Sequence, residues 1–346
     1  MNSIFKMKIK ILFILLSISP LLKGQTQTDS LKFALTRNPD STELYLTIAR
    51  PYLFSNIDSA RLYLNMGLGA ATKNHSSYER ARVYDNLGIF YGIQSIYDSS
   101  LHYYGKSVEI FRALKDEFSL ANVLNNSGFT LFKKGDYENA SIRFQEAVDL
   151  YVKLDRMDKA SRTYNNLGLV FVDINDLNKA LDFFEKSMVM SKKIDDQQTY
   201  FIAMNGKASA LGSLLKIREA LILYDSVHNY FEKNNQPYFL AKVDHNIGDC
   251  YTELGEYAMA SLYLSKSLAI KKQFNDQEVI ASGYKALALL NQKRKDYSSA
   301  LRYADSAIHV GNSLDNLYLV STNTRLKSNI LLDLGEYKKS SKLFAD

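Results

Sequence analysis

Asparagine is a weak helix former, because its amide competes for nearby backbone groups. Two adjacent asparagines inside TYNNLGLVF, Thr163 to Phe171, therefore need a reason other than helix formation. An amide side chain offers two donors and an acceptor. One row of asparagines recurs every 40 residues as Asn86, Asn126, Asn166 and Asn246, broken at Gly206, Ala286 and Leu326. A neighbouring row runs Asn125, Asn165 and Asn205, then His245, Lys285 and Arg325. Helices packed roughly 10 Å apart would set one such amide against every third residue of an extended chain rising about 3.3 Å per residue. A column of this kind can hydrogen-bond a peptide backbone whatever its side chains. Beside it, Ile89, Phe129 and Leu169 form an apolar row able to seat peptide side chains.

Other chemistry finds little support. The five histidines, His75, His102, His228, His245 and His309, have no HExxH or comparable ligand spacing. No nucleophile elbow, phosphate loop or dinucleotide fingerprint occurs, and the carboxylates fall in turns and on solvated helix faces. Cys250 is the only cysteine, so neither an intramolecular disulfide nor a cysteine metal cluster can form within the chain. Its apolar helical setting beside Tyr251 reads as a small buried thiol. No enzyme activity, cofactor or metal is expected.

The elements that must position the asparagines follow from self-comparison. Small residues recur as Gly88, Gly128, Gly168, Ala208, Gly248, Ala288 and Ser328, each 40 positions after the last. A second small series runs Ala60, Ser100, Ala140, Ala180, Ala220, Ala260, Ala300 and Ser340, and a large one Leu64, Tyr104, Phe144, Phe184, Tyr224, Leu264, Ala304 and Phe344. A fourth series includes Tyr97, Tyr137, Tyr257 and Tyr297, read as packing residues. Within one unit Tyr164, Leu167, Gly168 and Phe171 share a helical face. Asn175 and Asp176 break that helix, and a second one carries Ala180, Phe184 and Ser187. At 100° per residue, Asn166 points about 150° away from the packed face of its helix.

LGLVF followed by ALDFF, and SGFTLF followed by GDYENASIRF, resemble the tetratricopeptide repeat pattern. The resemblance covers nearly all of the chain beyond residue 40. It departs in having 40-residue units, no tryptophan and no closing proline, and is closest in kind to kinesin light chains and bacterial peptide-sensing regulators. It implies an all-α fold, a right-handed α-α superhelix of about eight helix-turn-helix repeats, whose first helices line a concave surface. That surface would hold Asn86, Asn126, Asn166 and Asn246 with Ile89, Phe129 and Leu169. The second row, Asn125, Asn165, Asn205 and His245, would lie nearer the seam between repeats. The resemblance implies a protein or peptide partner. The expected organisation is a leader over 1–24, a leading helix within 25–40, units 41–80, 81–120, 121–160, 161–200, 201–240, 241–280 and 281–320, and an incomplete one at 321–346.

Lys6, Lys8 and Lys10 precede an apolar run from Ile11 to Leu22, the order of a secretory signal peptide. At 12 residues the run is shorter than the roughly 20 that span a bilayer. Export to the periplasm or another extracytoplasmic space is the expectation, with cleavage near Gly24. The leader holds four lysines and no acid, so its removal lowers the net charge from +6 to +2. No basic stripe remains to suggest a nucleic-acid partner. The last unit stops partway along its second helix, which predicts a partner or a second copy covering it, or a shortened signalling protein. In that alternative, the chain is the extracytoplasmic sensor region of a histidine kinase or a helix-turn-helix regulator.

Overall fold

The computed structural model describes residues 30–274 and 276–343, and among these every regular element is a helix. The predicted leader lies outside the described residues. A short helix α1 spans 30–37. Helix pairs follow: α2 (Thr42–Tyr52) with α3 (Ile57–Lys73), α4 (Ser77–Ile93) with α5 (Tyr97–Leu114), and α6 (Glu117–Lys134) with α7 (Tyr137–Lys153). Next come α8 (Met157–Asp173) with α9 (Leu177–Lys193), α10 (Gln197–Ser213) with α11 (Ile217–Lys233), and α12 (Pro237–Leu254) with α13 (Tyr257–Gln273). The last are α14 (Gln277–Lys293) with α15 (Tyr297–Ser313) and α16 (Leu317–Asp333) with the six-residue α17 (Tyr337–Lys342). The chain forms two compact units, one ending at Thr163 and the other beginning at Tyr164.

Punctuation between helices is local and regular. The first helix of a pair ends on a left-handed residue, as at Gly135, Asn175, Leu215, Gly255, Lys295 and Gly335, and the second does so at Lys115, Asp155, Asp195, Asn235 and Asp315. An aspartate then commonly caps the next helix: Asp136 accepts from the Asn139 backbone N–H, and Asp176 from that of Lys179. First helices thus begin at 77, 117, 157 and onward, so a 40-residue count started at 81 cuts through them.

The small and large series meet inside each pair. A methyl group added at Gly168 would stand 2.6 Å from the Phe184 ring, and one at Gly88 2.5 Å from the Tyr104 ring. Gly128 faces Phe144 and Gly248 faces Leu264 in the same way. The ring fills the space that the missing side chain leaves, giving close helix contact and a dense core. Phe184 also presses on Gly206 of the next first helix, where an added methyl would be 2.3 Å away.

Within each unit, first helices also touch the first helix of the next pair, α2 with α4 and α4 with α6 in one unit, and α10, α12, α14 and α16 in succession in the other. Among the described residues, second helices make no such mutual approach. The first helices therefore stand closer together, and each unit presents them as its inner wall.

Candidate binding face on the first helices

In the first compact unit the wall carries Asn86 and Ile89 on α4 and Asn126 and Phe129 on α6. Asn86, Ile89 and Asn126 are partly accessible, and Phe129 is 50% exposed. The asparagines are not idle. Asn86 Nδ2 donates to the Arg82 carbonyl at 2.8 Å, one turn back in its own helix. Asn126 Nδ2 donates to Asp85 Oδ1 at 3.2 Å, across to the preceding first helix. Asn125 accepts from Thr163 Oγ1 at 3.1 Å, so the second row also joins successive repeats. Each amide nitrogen carries a second N–H beyond the one used here. Burial pushes the Asp85 carboxyl up to about 6, against the opposing pull of the Asn126 hydrogen bond and the Arg82 charge. Arg82 is itself bonded to Glu43 on α2.

In the second unit the wall carries Asn166 and Leu169 on α8, Asn205 on α10, and His245 and Asn246 on α12. Leu169 is 40% exposed, whereas Asn165 is buried and its Oδ1 has no hydrogen-bond partner among the described residues. Asn246 Nδ2 donates to Asn205 Oδ1 at 3.3 Å, repeating the Asn126–Asp85 bond at the same 41-residue separation. His245 belongs to a different arrangement. Lys271 Nζ, on α13 and 4% exposed, donates to His245 Nδ1 at 3.1 Å and to Ser282 Oγ at 3.3 Å. Burial, helped by the Lys271 charge, holds the imidazole down to about 3, so it is neutral with its proton on Nε2. Burial likewise brings Lys271 down to about 8. His245 Nε2 lies 3.6 Å from Asp249 Oδ2.

Three participants were not anticipated: Asp85, Lys271, and Asp244, a 1%-exposed carboxylate bonded to His228 Nδ1 at 2.7 Å. Asp85 had a signal, since it heads the column that continues as Asn125, Asn165 and Asn205. Lys271 and Asp244 had none, because only tertiary packing encloses them. Cys250 is buried, and burial pushes its thiol up to about 11, an unreactive state at neutral pH. Among the described residues no cluster of three or more His, Cys, Asp or Glu side chains could hold a metal, and no helix is long and apolar enough to cross a membrane.

Tandem helix pairs, closely packed first helices and an accessible row of amides and apolar side chains define an α-solenoid of the protein-binding scaffold class. Residues 79–153 and 119–193 match one family model of the tetratricopeptide repeat and residues 242–274 another, so these stretches carry that repeat. Aspartyl phosphate phosphatase F from Bacillus subtilis superposes with a TM-score of 0.65 at 14% identity, over 92% of this chain and 91% of that one. A Rap protein solved in complex with competence and sporulation factor gives 0.59 at 12% identity, over 88% and 95%. Among curated proteins, tonsoku-like protein of Bos taurus is 21% identical over 266 residues, 75% of this chain and 17% of that protein. Response regulator aspartate phosphatase I of Bacillus subtilis is 24% identical over 222 residues, 61% of this chain. The chain spans 54% of that second relative's length.

Proposed function

We propose that the chain is an exported scaffold whose first-helix wall binds a protein or an extended peptide. The observation that carries this reading is the pair of accessible apolar side chains Ile89 and Phe129, placed beside Asn86 and Asn126 on the adjoining first helices α4 and α6; Leu169 and Asn166 stand at the equivalent positions of α8. Large apolar groups left open on such a wall favour a partner that covers them. The Asn126–Asp85 and Asn246–Asn205 bonds add to it, because amides already fixed by the fold lose little freedom when a second N–H meets a peptide carbonyl. The Rap protein solved with competence and sporulation factor supports the same use of a related fold. The export half rests on the order of lysines and apolar residues in the first 24 positions.

The test is selection of dodecapeptides by the purified chain, followed by affinity measurement on Phe129→Ser and Asn126→Ala variants. Covering a Phe side chain is worth about 1.5–3 kcal/mol, so Phe129→Ser is expected to weaken selected peptides roughly tenfold or more. Its half-exposed position leaves stability nearly unchanged. Equal affinity for both variants and the parent would remove the wall from consideration.

A further inference from the structure

The apolar row does not continue along the second unit. The positions 40 and 80 residues after Leu169 hold Ser209 and Asp249. With Ser209 and Ser213 on its accessible side, α10 lacks the bulk that Phe129 supplies on α6. A cleft of about 200 Å³ opens between α10 and α12, with α11 behind it. Ser209, Ser213, Asn246, Asp249 and Glu253 line it, and Tyr224 stands at its back. Neither lysine nor arginine is among the lining side chains.

The polar groups of the cleft are oriented but unevenly satisfied. The Tyr224 side chain, 2% exposed, lines the cleft together with Ser209 and Asn246. Glu253 is paired with Lys293 of α14 at 2.7 Å. Asp249 has only the neutral His245 imidazole beside it. Lys271 and Lys285 act on it from a distance, yet the packed wall still pushes its carboxyl up to about 6, although the side chain remains 54% open to solvent. The cleft therefore offers carboxylate and hydroxyl acceptors with no cation of its own. An anionic group entering it would meet Asp249 and Glu253.

We propose that this cleft seats the basic side chain, arginine or lysine, of a segment bound along the α10–α12 wall. A guanidinium supplies five donors and an ammonium three, and the aliphatic stem of either can lie against Ile217 and Cys250 at the cleft's inner edge. The inference rests on the groove reading above and adds the chemistry of the occupant.

A dodecapeptide array on an alanine-serine background, with one position scanned through Arg, Lys, citrulline, norleucine and Glu, is probed with the labelled full chain. Arg and Lys spots are expected to bind at least tenfold more strongly than citrulline or norleucine spots. Asp249→Asn, and Ser209→Leu, which refills the recess with bulk, are expected to abolish that preference while leaving binding of the uncharged spots and the helical circular dichroism intact. Lowering the pH from 7.5 to 5 protonates Asp249 and is expected to shrink the preference. The other titratable groups around it are His245, Glu253, Lys271, Lys285 and Lys293, and His245 is already neutral across that range. Binding without charge preference, or a preference that survives Asp249→Asn, overturns the inference and leaves the groove reading standing. Absence of binding to every spot overturns the groove reading and this inference together. Spermidine is the arm for a free amine: it is expected not to displace Arg peptides, and Asp249-dependent binding as tight as theirs would replace a peptide pocket with an amine site.

Discussion

Single glycines in this chain have opposite meanings that the packing separates. Gly168 and Gly105 are both helical, but a methyl at 168 would strike Phe184, whereas one at 105 would meet nothing. Replacing helical Gly by Ala gains up to about 1 kcal/mol in propensity. Gly105→Ala is therefore expected to raise stability by about 0.5–1 kcal/mol. At 168, overpacking of about 1–3 kcal/mol outweighs the gain, so Gly168→Ala is expected to be net destabilising. Urea midpoints of the two variants, measured side by side, check the opposed signs. Gly168 was legible in the sequence because it recurs with its aromatic partner. The partnerships of Asn126 and Lys271 were not. A helical wheel gives the direction in which Asn126 points but no distance to Asp85 on another helix, and Lys271 sits on a helix whose sequence gives no hint that it is enclosed.

At the scale of the element, the turns carry the register. Seven equivalent first-helix ends hold Ser, Gly, Asn, Leu, Gly, Lys and Gly, all left-handed, and Leu215 is the least suited of them, with φ of 62° and a side chain 80% exposed. A non-glycine residue in this conformation costs roughly 1 kcal/mol. Leu215→Gly is expected to stabilise the chain by about 0.5–1 kcal/mol, and Leu215→Val to destabilise it, read by thermal unfolding. The helix pairs themselves were legible from apolar periodicity and the breaks at Asn175 and Asp176. Their starting points were not, because the first turn of several first helices carries charged and polar residues, as in SYER and in MDKA before the apolar face begins.

For the molecule as a whole, the chain buries its core pair by pair, and the lysine and arginine ion pairs between helices, such as Lys153 with Glu117 or Lys134 with Asp98, join near neighbours at the surface. Exposed pairs of this kind contribute little each, so stability rests on the repeated small-against-large packing. Four of the six net positive charges fall in the first 24 residues, which hold four lysines and no acid. Expressed in full in a bacterium with a general secretion pathway, the chain is expected to reach the extracytoplasmic fraction with a new N-terminus near residue 25, seen by intact mass and N-terminal sequencing. An unprocessed chain retained in the cytoplasm would set the export reading aside.

The contact of Phe184 with both Gly168 and Gly206 carries a further consequence. One ring occupies the room of two side chains, so α10 sits where an asparagine at 206 would have no place for its Cβ. The gap in the first asparagine row is then the imprint of a neighbour's bulk. Repeats that look like copies on paper cannot be shuffled: transplanting α6 or α12 into the α10 slot would restore the missing amide and collide with the core behind it.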